Sequence, residues 1–395
     1  MKTYIQNVRI IDGLGNSIEN GSVLFDDRIL QISSSPLEGA DSVIDGTGYT
    51  LIPGLIESHA HLAMDASMNP FAVIEKDSEA ATGIKAYLDG LKFIESGITT
   101  IRNMGTKYDV DIEYRNMVRS GMLKGPRVIA SGMLLTMTGG HGHAIGIECD
   151  NPDEARKAAR LQIKKGADVI KLIATGGVLT PGSEIGAPQM SEEDMRAACQ
   201  EAKRQGRTSA AHCIGVSGIK NAIRAGVTSV EHGYYVDDEA IELMLENQTY
   251  FVPTISAPLS MVRYGKDLDD EFVQTSIRKI LPLAENHKIV FKKALAAGIK
   301  IAAGTDQGTP HNYPGGLVYE LEKFIEYGMT NMQAITAATH TAAELVNLSD
   351  SIGSIETGKI ADLVLLKGNP LEDIWNITKV AKVFQSGRMT VDQAG

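Results

Sequence analysis

Two histidines, His59 and His61, stand two positions apart directly after the apolar run LIPGLIES. Residues i and i+2 of an extended chain point to the same side, so both imidazoles can reach one ion. His212 in TSAAHC and His232 in TSVEHG also end apolar runs. Each alone is more often an ordinary buried histidine, and an HxH pair alone can be a chance pair in a turn. Together they indicate a metal site, because imidazole nitrogen is a favoured ligand of divalent ions.

Lys171 in DVIKLIATGG and Asp306 in AAGTDQGTP add two further groups. An ammonium cannot bind a metal and is costly to bury beside cations. Lys171 therefore pairs with a carboxylate, acts as a Schiff-base nucleophile, or reacts with CO₂ to give a carbamate that can bridge two ions. Asp306 can bind a metal and accept a proton from bound water, although an aspartate before a loop is also a common helix N-cap. In company with four histidines, we interpret Asp306 as catalytic.

The elements that must position these groups are βα units. From Gly54 to about residue 345, short apolar runs alternate with amphipathic helical stretches. Eight runs are predicted as parallel strands: LIPGLIESH, GITTIRNM, RVIASG, DVIKLI, TSAAHC, SVEHG, YFVPTI and IKIAAGTD. Eight units favour a closed (β/α)₈ barrel over an open sheet, and catalytic groups of such barrels lie at the C-terminal ends of the strands.

The two ends of the chain have a different residue pattern from the middle. Residues 1–53 and 346–395 contain short alternating or β-branched runs separated by Gly, Asn and Asp. We therefore expect a barrel over residues 54–345, flanked by two β-rich segments that pair with each other.

Charge and composition exclude some classes of partner for this protein. The net charge of −11 and the absence of a dense basic run argue against nucleic acid. No signal peptide or long apolar run is present, which predicts a cytoplasmic protein without a membrane partner. The three widely spaced cysteines are expected to be free thiols, with Cys213 in the core rather than a nucleophile beside His212. We expect a small-molecule substrate and a homo-oligomer.

The ordered set of motifs resembles the amidohydrolase superfamily of metal-dependent hydrolases. The match runs from PGLIESHAH through DVIKLI, AAHC, VEHG and AAGTD to GKIADLVLLKGNPLEDI, nearly the whole chain. The resemblance implies a (β/α)₈ barrel beside a small β-sandwich formed by both chain ends. It also implies a hydrolase of carbon–nitrogen bonds with two divalent ions, zinc being the expected metal, although Mn²⁺, Fe²⁺ and Co²⁺ suit the same ligands.

The same resemblance implies a role for each candidate ligand. The six ligands would be His59, His61, Lys171, His212, His232 and Asp306. The first-strand histidines and the aspartate would hold the more buried ion, the other two histidines would hold the second, and the lysine, carboxylated, would bridge both. A bridging hydroxide would attack the substrate carbonyl, with Asp306 as general base and then acid. Single-metal deaminase branches generally lack the lysine, so the sequence looks like a binuclear amide or peptide hydrolase.

Three loops are similar to the prolidase and Xaa-Arg/Lys carboxypeptidase-like branch: TGGHGHA, KLIATGGVLTPGSE and VEHGYYVDDE. That branch cleaves dipeptides or N-acyl amino acids. The resemblance implies that His141 polarises the scissile carbonyl and that Tyr234 helps to hold the substrate carboxylate. His143 and Tyr235 are the alternatives for these two roles.

The sequence does not decide the roles of several other residues. Arg102 and Arg263 are both candidate carboxylate clamps, because guanidinium binds carboxylate as a fork. His311, in the loop after Asp306, is a candidate for the substrate entrance, whereas His287 stands among charged residues and is expected to face solvent.

The function predicted is hydrolysis of an amide or peptide bond in a dipeptide or N-acyl amino acid with a free carboxylate. An alternative is cyclic-amide hydrolysis or deamination, as in imidazolonepropionase-like enzymes, against which Lys171 argues. A catalytically silent assembly protein is the third hypothesis, and the presence of every expected ligand argues against it.

Overall fold

The first fifty residues form strands of a sheet that the C-terminal residues complete. The computed structural model describes residues 1–35, 38–180 and 182–393. The N-terminal strands are β1 (Thr3–Ile11), β2 (Ser17–Phe25), β3 (Ile29–Ser33), β4 (Ser42–Asp45) and β5 (Tyr49–Pro53).

Parallel strands follow and form the barrel wall. They are β6 (Leu55–Ala60), β7 (Ile98–Asn103), β8 (Arg127–Ile129), β9 (Leu134–Thr136), β10 (Gly146–Glu148), β11 (Val169–Ile173), β12 (Thr208–Cys213), β13 (Ser229–His232) and β14 (Tyr250–Val252). They pair as β6-β7-β8 and as β10-β9-β11-β12-β13-β14. Every residue of β6, β7, β11 and β12 is buried, as expected for strands covered on both faces.

Backbone hydrogen bonds close the two sheets into one barrel. On one side the N–H of Asp168 donates to the carbonyl of Ala130 at 2.7 Å. On the other side, residues 300–306 lie between β14 and β6: the Phe251 N–H donates to Lys300 at 2.9 Å, and the Ser58 N–H donates to Ala303 at 3.0 Å. The predicted (β/α)₈ barrel is confirmed.

The strand predictions need three corrections. LIPGLIESH is two strands, because its LIP end belongs to β5 in the terminal sheet and the barrel strand begins at Leu55. The predicted eighth strand, IKIAAGTD, is an extended segment held by isolated bridges and single hydrogen bonds rather than a regular strand. The short strands β9 and β10 lie in the region after β8, where only a loop was expected.

Helices cover the outside of the barrel. They are α1 (Pro70–Lys76), α2 (Glu79–Glu95), α3 (Val110–Arg119), α4 (Pro152–Lys165), α5 (Glu192–Arg204), α6 (Val216–Ala225), α7 (Asp238–Asn247), α8 (Ser256–Gly265), α9 (Glu271–Ala297), α10 (Leu317–Glu326), α11 (Asn331–Ala337) and α12 (His340–Leu345). Local sequence sets several ends: Ser191 and Asp194 form a capping box at the start of α5, and Gly166 ends α4 with φ 109°. In the described part of the chain, no helix combines the length and apolarity needed to cross a bilayer.

The C-terminal strands complete the terminal sheet. They are β15 (Leu363–Lys367), β16 (Val380–Gln385) and β17 (Arg388–Asp392), and β15 pairs with β5. The order is β17-β16-β15-β5-β1-β2-β3, with β4 beside β1. Strands β2 and β16 are separated by three others, yet the rings of Phe25 and Phe384 are only 5.1 Å apart. The sheet therefore folds over a core of its own, as a second β unit beside the barrel.

Candidate metal centre

Three predicted ligands meet at the C-terminal mouth of the barrel. Nε2 of His59 and Nε2 of His61 each lie 3.3 Å from Oδ1 of Asp306. One ligand atom from each residue lies within 4.8 Å of the other two. Asp306 reaches this place with a left-handed backbone, φ 61°, which a residue other than glycine adopts only when its surroundings impose it. Two imidazoles and a carboxylate at this spacing fit one divalent ion.

The histidines of β12 and β13 lie beside this group. The ring centroids of His59 and His232 are 5.0 Å apart, and those of His232 and His212 are 4.5 Å apart. His212 is the last residue but one of β12, whereas His232 ends β13 with a left-handed backbone, φ 68°. Nε2 of His212 has no hydrogen-bond partner among the described residues. The structure thus brings the four predicted histidines to one mouth.

Lys171 lies at the same place, in the middle of β11. Its side chain is buried, and its Nζ is 3.4 Å from Nε2 of His59. Burial lowers the pKa of this amine to about 8, although Glu231 and Asp306 oppose the shift. Within the described chain it forms no ion pair at 4.0 Å or less, so the ordinary role of a lysine paired to a carboxylate is not seen.

The Nδ1 side of three rings is fixed by the surrounding protein. Nδ1 lies at hydrogen-bond distance from Glu231 Oε2 in His59 (2.7 Å), from the Gly105 carbonyl in His61 (2.9 Å) and from Thr254 Oγ1 in His232 (2.7 Å). These partners leave Nε2 of each ring to face the centre. Burial holds the pKa values of His59, His212 and His232 well below the ordinary range, with nearby cationic groups adding to the effect. The rings are therefore neutral, the state that a metal requires.

A buried ion pair between Arg102 and Glu231 lies behind His59 and holds its ring in place. The carboxylate of Glu231 accepts hydrogen bonds from the Arg102 guanidinium at 2.9 Å and from the Ser229 hydroxyl, in addition to its contact with His59. Arg102 also donates to the carbonyl of Ser58 at 2.6 Å. Both members of the pair are fully buried. Arg102 was one of two candidates for a substrate carboxylate clamp, and its guanidinium is instead used within the barrel wall.

His141 lies on the loop after β9 and faces the same mouth. Its ring centroid is 4.5 Å from that of His212. Its Nδ1 is 2.8 Å from Oγ1 of Thr180, and its backbone N–H donates to the side chain of Gln189 at 2.9 Å. A Cβ on Gly177 would stand 2.5 Å from the ring, so only glycine leaves it room. Burial lowers the pKa of His141 to about 3, which keeps the ring neutral.

Tyr234 follows His232 and is also buried. Its ring lies nearly parallel to that of His232, 6.3 Å away, and is 4.5 Å from the ring of His287 on α9. Burial raises the pKa of the phenol, so its hydroxyl keeps its proton. His287 is fully buried between Tyr234 and Phe251. The expectation that His287 faces solvent is wrong, because this side of α9 packs against the barrel.

The other candidates lie outside the mouth. His143 is exposed, and Tyr235 is 39% exposed. Arg263 is exposed and lies over the rings of Tyr264 and Tyr319. His311 follows Thr309 and Pro310, which line the mouth, and its ring is 5.1 Å from that of Tyr264.

A cavity of about 770 Å³, including its open end, lies above these groups. The predicted site residues that line it are His61, His141, Lys171, His212, His232, Tyr234 and Asp306. Cys213 does not line it and is a buried core thiol. Imidazoles, one carboxylate and one buried amine around one cavity suit the binding of metal and attack on a polar bond.

Comparison with known proteins agrees with this geometry. The sequence pattern of the amidohydrolase family matches residues 50–390. The chain belongs to this family. An ochratoxinase of Aspergillus niger is 31% identical over 418 residues, covering 97% of this amidohydrolase and 83% of that protein. A solved Xaa-Pro dipeptidase with methionine bound in its active site has 34% identity and a TM-score of 0.91, covering 98% of this chain and 99% of that one. A solved prolidase in complex with N-methylphosphonate-L-proline has 29% identity and a TM-score of 0.90, covering 100% of both chains.

This amidohydrolase is thus a hydrolase of carbon–nitrogen bonds, and its His59, His61 and Asp306 group fits the divalent metal that the family uses. Sequence reasoning missed the supporting residues Glu231 and Thr180. Glu231 had a usable signal, since a carboxylate beside a candidate ligand in a buried strand needs a partner. Thr180 had none, because nothing in a loop sequence shows which side chain it contacts.

Proposed function

We propose that this amidohydrolase cleaves the amide bond of a dipeptide or N-acyl amino acid with a free carboxylate, using two divalent ions. The observation that carries the proposal is the convergence of four histidines, Asp306 and a buried lysine without an ion pair among the described residues on one cavity. Support also comes from the solved dipeptidase with methionine in its active site and from the solved prolidase in complex with N-methylphosphonate-L-proline.

The protein's own atoms fit such a centre. Each ring oriented through Nδ1 offers Nε2, and the unpartnered Nε2 of His212 is a buried polar atom that a metal would satisfy. His59, His61 and Asp306 would hold one ion, and His212 and His232 the other. Lys171, as a carbamate, would bridge both, because an uncharged amine can react with CO₂ whereas an ammonium cannot. Zinc is the metal we propose first.

The ions would supply a strong nucleophile at neutral pH and polarise the scissile carbonyl. Asp306 would take up the proton of the attacking water at its carboxylate and deliver it to the leaving nitrogen. His141 would donate its Nε2–H to the carbonyl oxygen, with Nδ1 held by Thr180. The Tyr234 hydroxyl, which stays protonated, would donate to the substrate carboxylate.

The test measures metal content and turnover together. Protein freed of metal should regain two ions per chain and full hydrolysis of dipeptides or N-acyl amino acids only when Zn²⁺ and bicarbonate are both added. Lys171→Ala should keep the fold and bind fewer than two ions under the same conditions. A single ion at full activity, or full recovery in buffer without CO₂, would contradict the binuclear proposal.

A further inference from the structure

The cavity is charged only around the proposed metal centre. Apart from Tyr234, its titratable lining residues are His141 and the proposed ligands. Thr309 also lines it, but its hydroxyl already donates to the carbonyl of Asp306 at 2.7 Å. Among the described lining residues there is no arginine, no glutamate and no lysine besides Lys171. The Tyr234 hydroxyl is thus the polar side-chain group left there for a substrate.

The part of the cavity wall beside Tyr234 is apolar, and its side chains are already packed without a substrate. Met261 of α8 and Ile280 of α9 are 1% and 3% exposed and belong to one packed cluster. Val178, on the loop after β11, packs against this cluster and also against a second one that contains Ile214 and Tyr234. Val178 therefore connects the tyrosine to the wall that α8 and α9 form.

The apolar wall determines which substrate side chains can bind beside Tyr234. An amino acid whose carboxylate reached Tyr234 would have Val178 and Ile214 as neighbours, because both pack in one cluster with Tyr234. A charged side chain there would lose its hydration and find no partner, whereas an apolar side chain would gain from its removal from water.

We propose that the enzyme selects substrates whose leaving amino acid has an uncharged, apolar side chain, such as methionine, leucine or phenylalanine. This inference rests on the proposed amide hydrolysis and adds the substrate class. It separates this chain from basic-residue carboxypeptidases, because lysine or arginine side chains would need an acidic group on this wall. Asp306 is the one carboxylate among the described lining residues, and it lies at the metal centre.

The first test compares dipeptides that differ only in the leaving residue. We expect kcat/KM of the metal-loaded enzyme for Ala-Met, Ala-Leu and Ala-Phe to exceed that for Ala-Lys, Ala-Arg and Ala-Glu by about 100-fold. Equal or higher values for the charged substrates would overturn the inference.

A charge placed on the wall should change the preference. Val178 is half-buried and lines the cavity, so Val178→Glu should raise the ratio of Ala-Lys to Ala-Met kcat/KM about 10-fold. Val178→Lys should favour Ala-Glu in the same way. Ile289→Glu is the matched control, because Ile289 is a 57% exposed residue of α9 that does not line the cavity. Ratios that stay at the wild-type value in both Val178 variants would contradict the role of this wall.

Binding separates this inference from the proposed reaction. Calorimetry on the metal-loaded protein should show tighter binding of L-methionine, the leaving amino acid of Ala-Met, than of L-lysine, because neither free amino acid has an amide bond to hydrolyse. That preference without any turnover would support the apolar wall and contradict amide hydrolysis. Turnover with no preference in either assay would support hydrolysis and overturn the inference.

Discussion

The active site joins two regions that are built differently. The metal-binding region lies at strand ends, where Glu231 of β13, the Gly105 carbonyl and the Thr254 hydroxyl fix three of its rings. The substrate region stands on loops and on α8 and α9, where single hydrogen bonds and apolar contacts hold His141 and Tyr234. The difference shows how the enzyme can keep its chemistry while its selectivity changes: side chains of the second region can be exchanged without disturbing the barrel strands.

The largest effect should come from the proton acceptor of the first region. Asp306→Asn keeps the size of the side chain but removes its ability to take up a proton, so kcat should fall about 1000-fold with the circular dichroism spectrum unchanged. Asp238→Asn, at an exposed ion pair with Lys293, should keep normal turnover. Turnover of Asp306→Asn near the wild-type value would remove Asp306 from the chemistry.

The support beneath the ligands should affect metal binding more than turnover of the loaded enzyme. Glu231→Gln keeps an acceptor for Arg102 but weakens the contact with Nδ1 of His59. We expect metal affinity to fall about 10- to 100-fold, measured by competition with a chelator. Glu242→Gln, an exposed change on α7, is the control, and equal affinities in the two variants would show that strand geometry alone orients the ring.

In the substrate region, the hydroxyl that holds His141 can be removed alone. Thr180→Val should lower kcat/KM about 10-fold and leave metal content unchanged, since Oγ1 lies 2.8 Å from Nδ1 and also accepts from the Gly142 N–H. Thr180→Ser keeps the hydroxyl and should restore most of the activity. Loss of metal in Thr180→Val would show that the two regions are not independent.

The smallest expected effect concerns stability in acid. Burial lowers the pKa of His287 to about 3, whereas the unfolded chain titrates near pH 6.5. As pH falls below 6.5, the unfolded chain gains a proton that the folded chain does not, so the free energy of unfolding decreases by about 1.4 kcal/mol per pH unit. His287→Leu should reduce this slope between pH 6 and 4 in urea unfolding of metal-free protein. Ile289→Leu, an exposed change on the same helix, is the control and should leave the slope unchanged; an unchanged slope in His287→Leu would contradict the linkage.

The same two regions differ in how far sequence predicts them. The (β/α)₈ barrel and the meeting of its polar strand ends follow from counting apolar runs and from strand geometry. The LIP segment was wrongly assigned to the first barrel strand, because nothing in one sequence shows that the chain passes from one sheet to another at Gly54. The choice between Arg102 and Arg263 stayed open for a similar reason: Glu231, the partner of Arg102, is on a different strand, and register between strands is a tertiary property.

The error at His287 could have been avoided. Leu283, Val290, Phe291 and Ala294 are buried residues of α9 that share a helical face with it. The period of 3.6 puts position 287 on that face despite its charged neighbours. Contacts such as that of Thr180 with His141 could not be found this way, because loop conformation depends on the elements that the loop touches.

Closure of the barrel by residues 300–306 also brings the last of the three candidate ligands to the first two. The N–H of Thr305 donates to Glu57, 248 positions earlier in the chain, and the N–H of Asp306 donates to the carbonyl of His59. During synthesis, the first two histidines leave the ribosome long before the aspartate is made. An ion that met the histidines alone would lack its carboxylate. The group of two histidines and one aspartate is therefore complete only when the last barrel segment is in place.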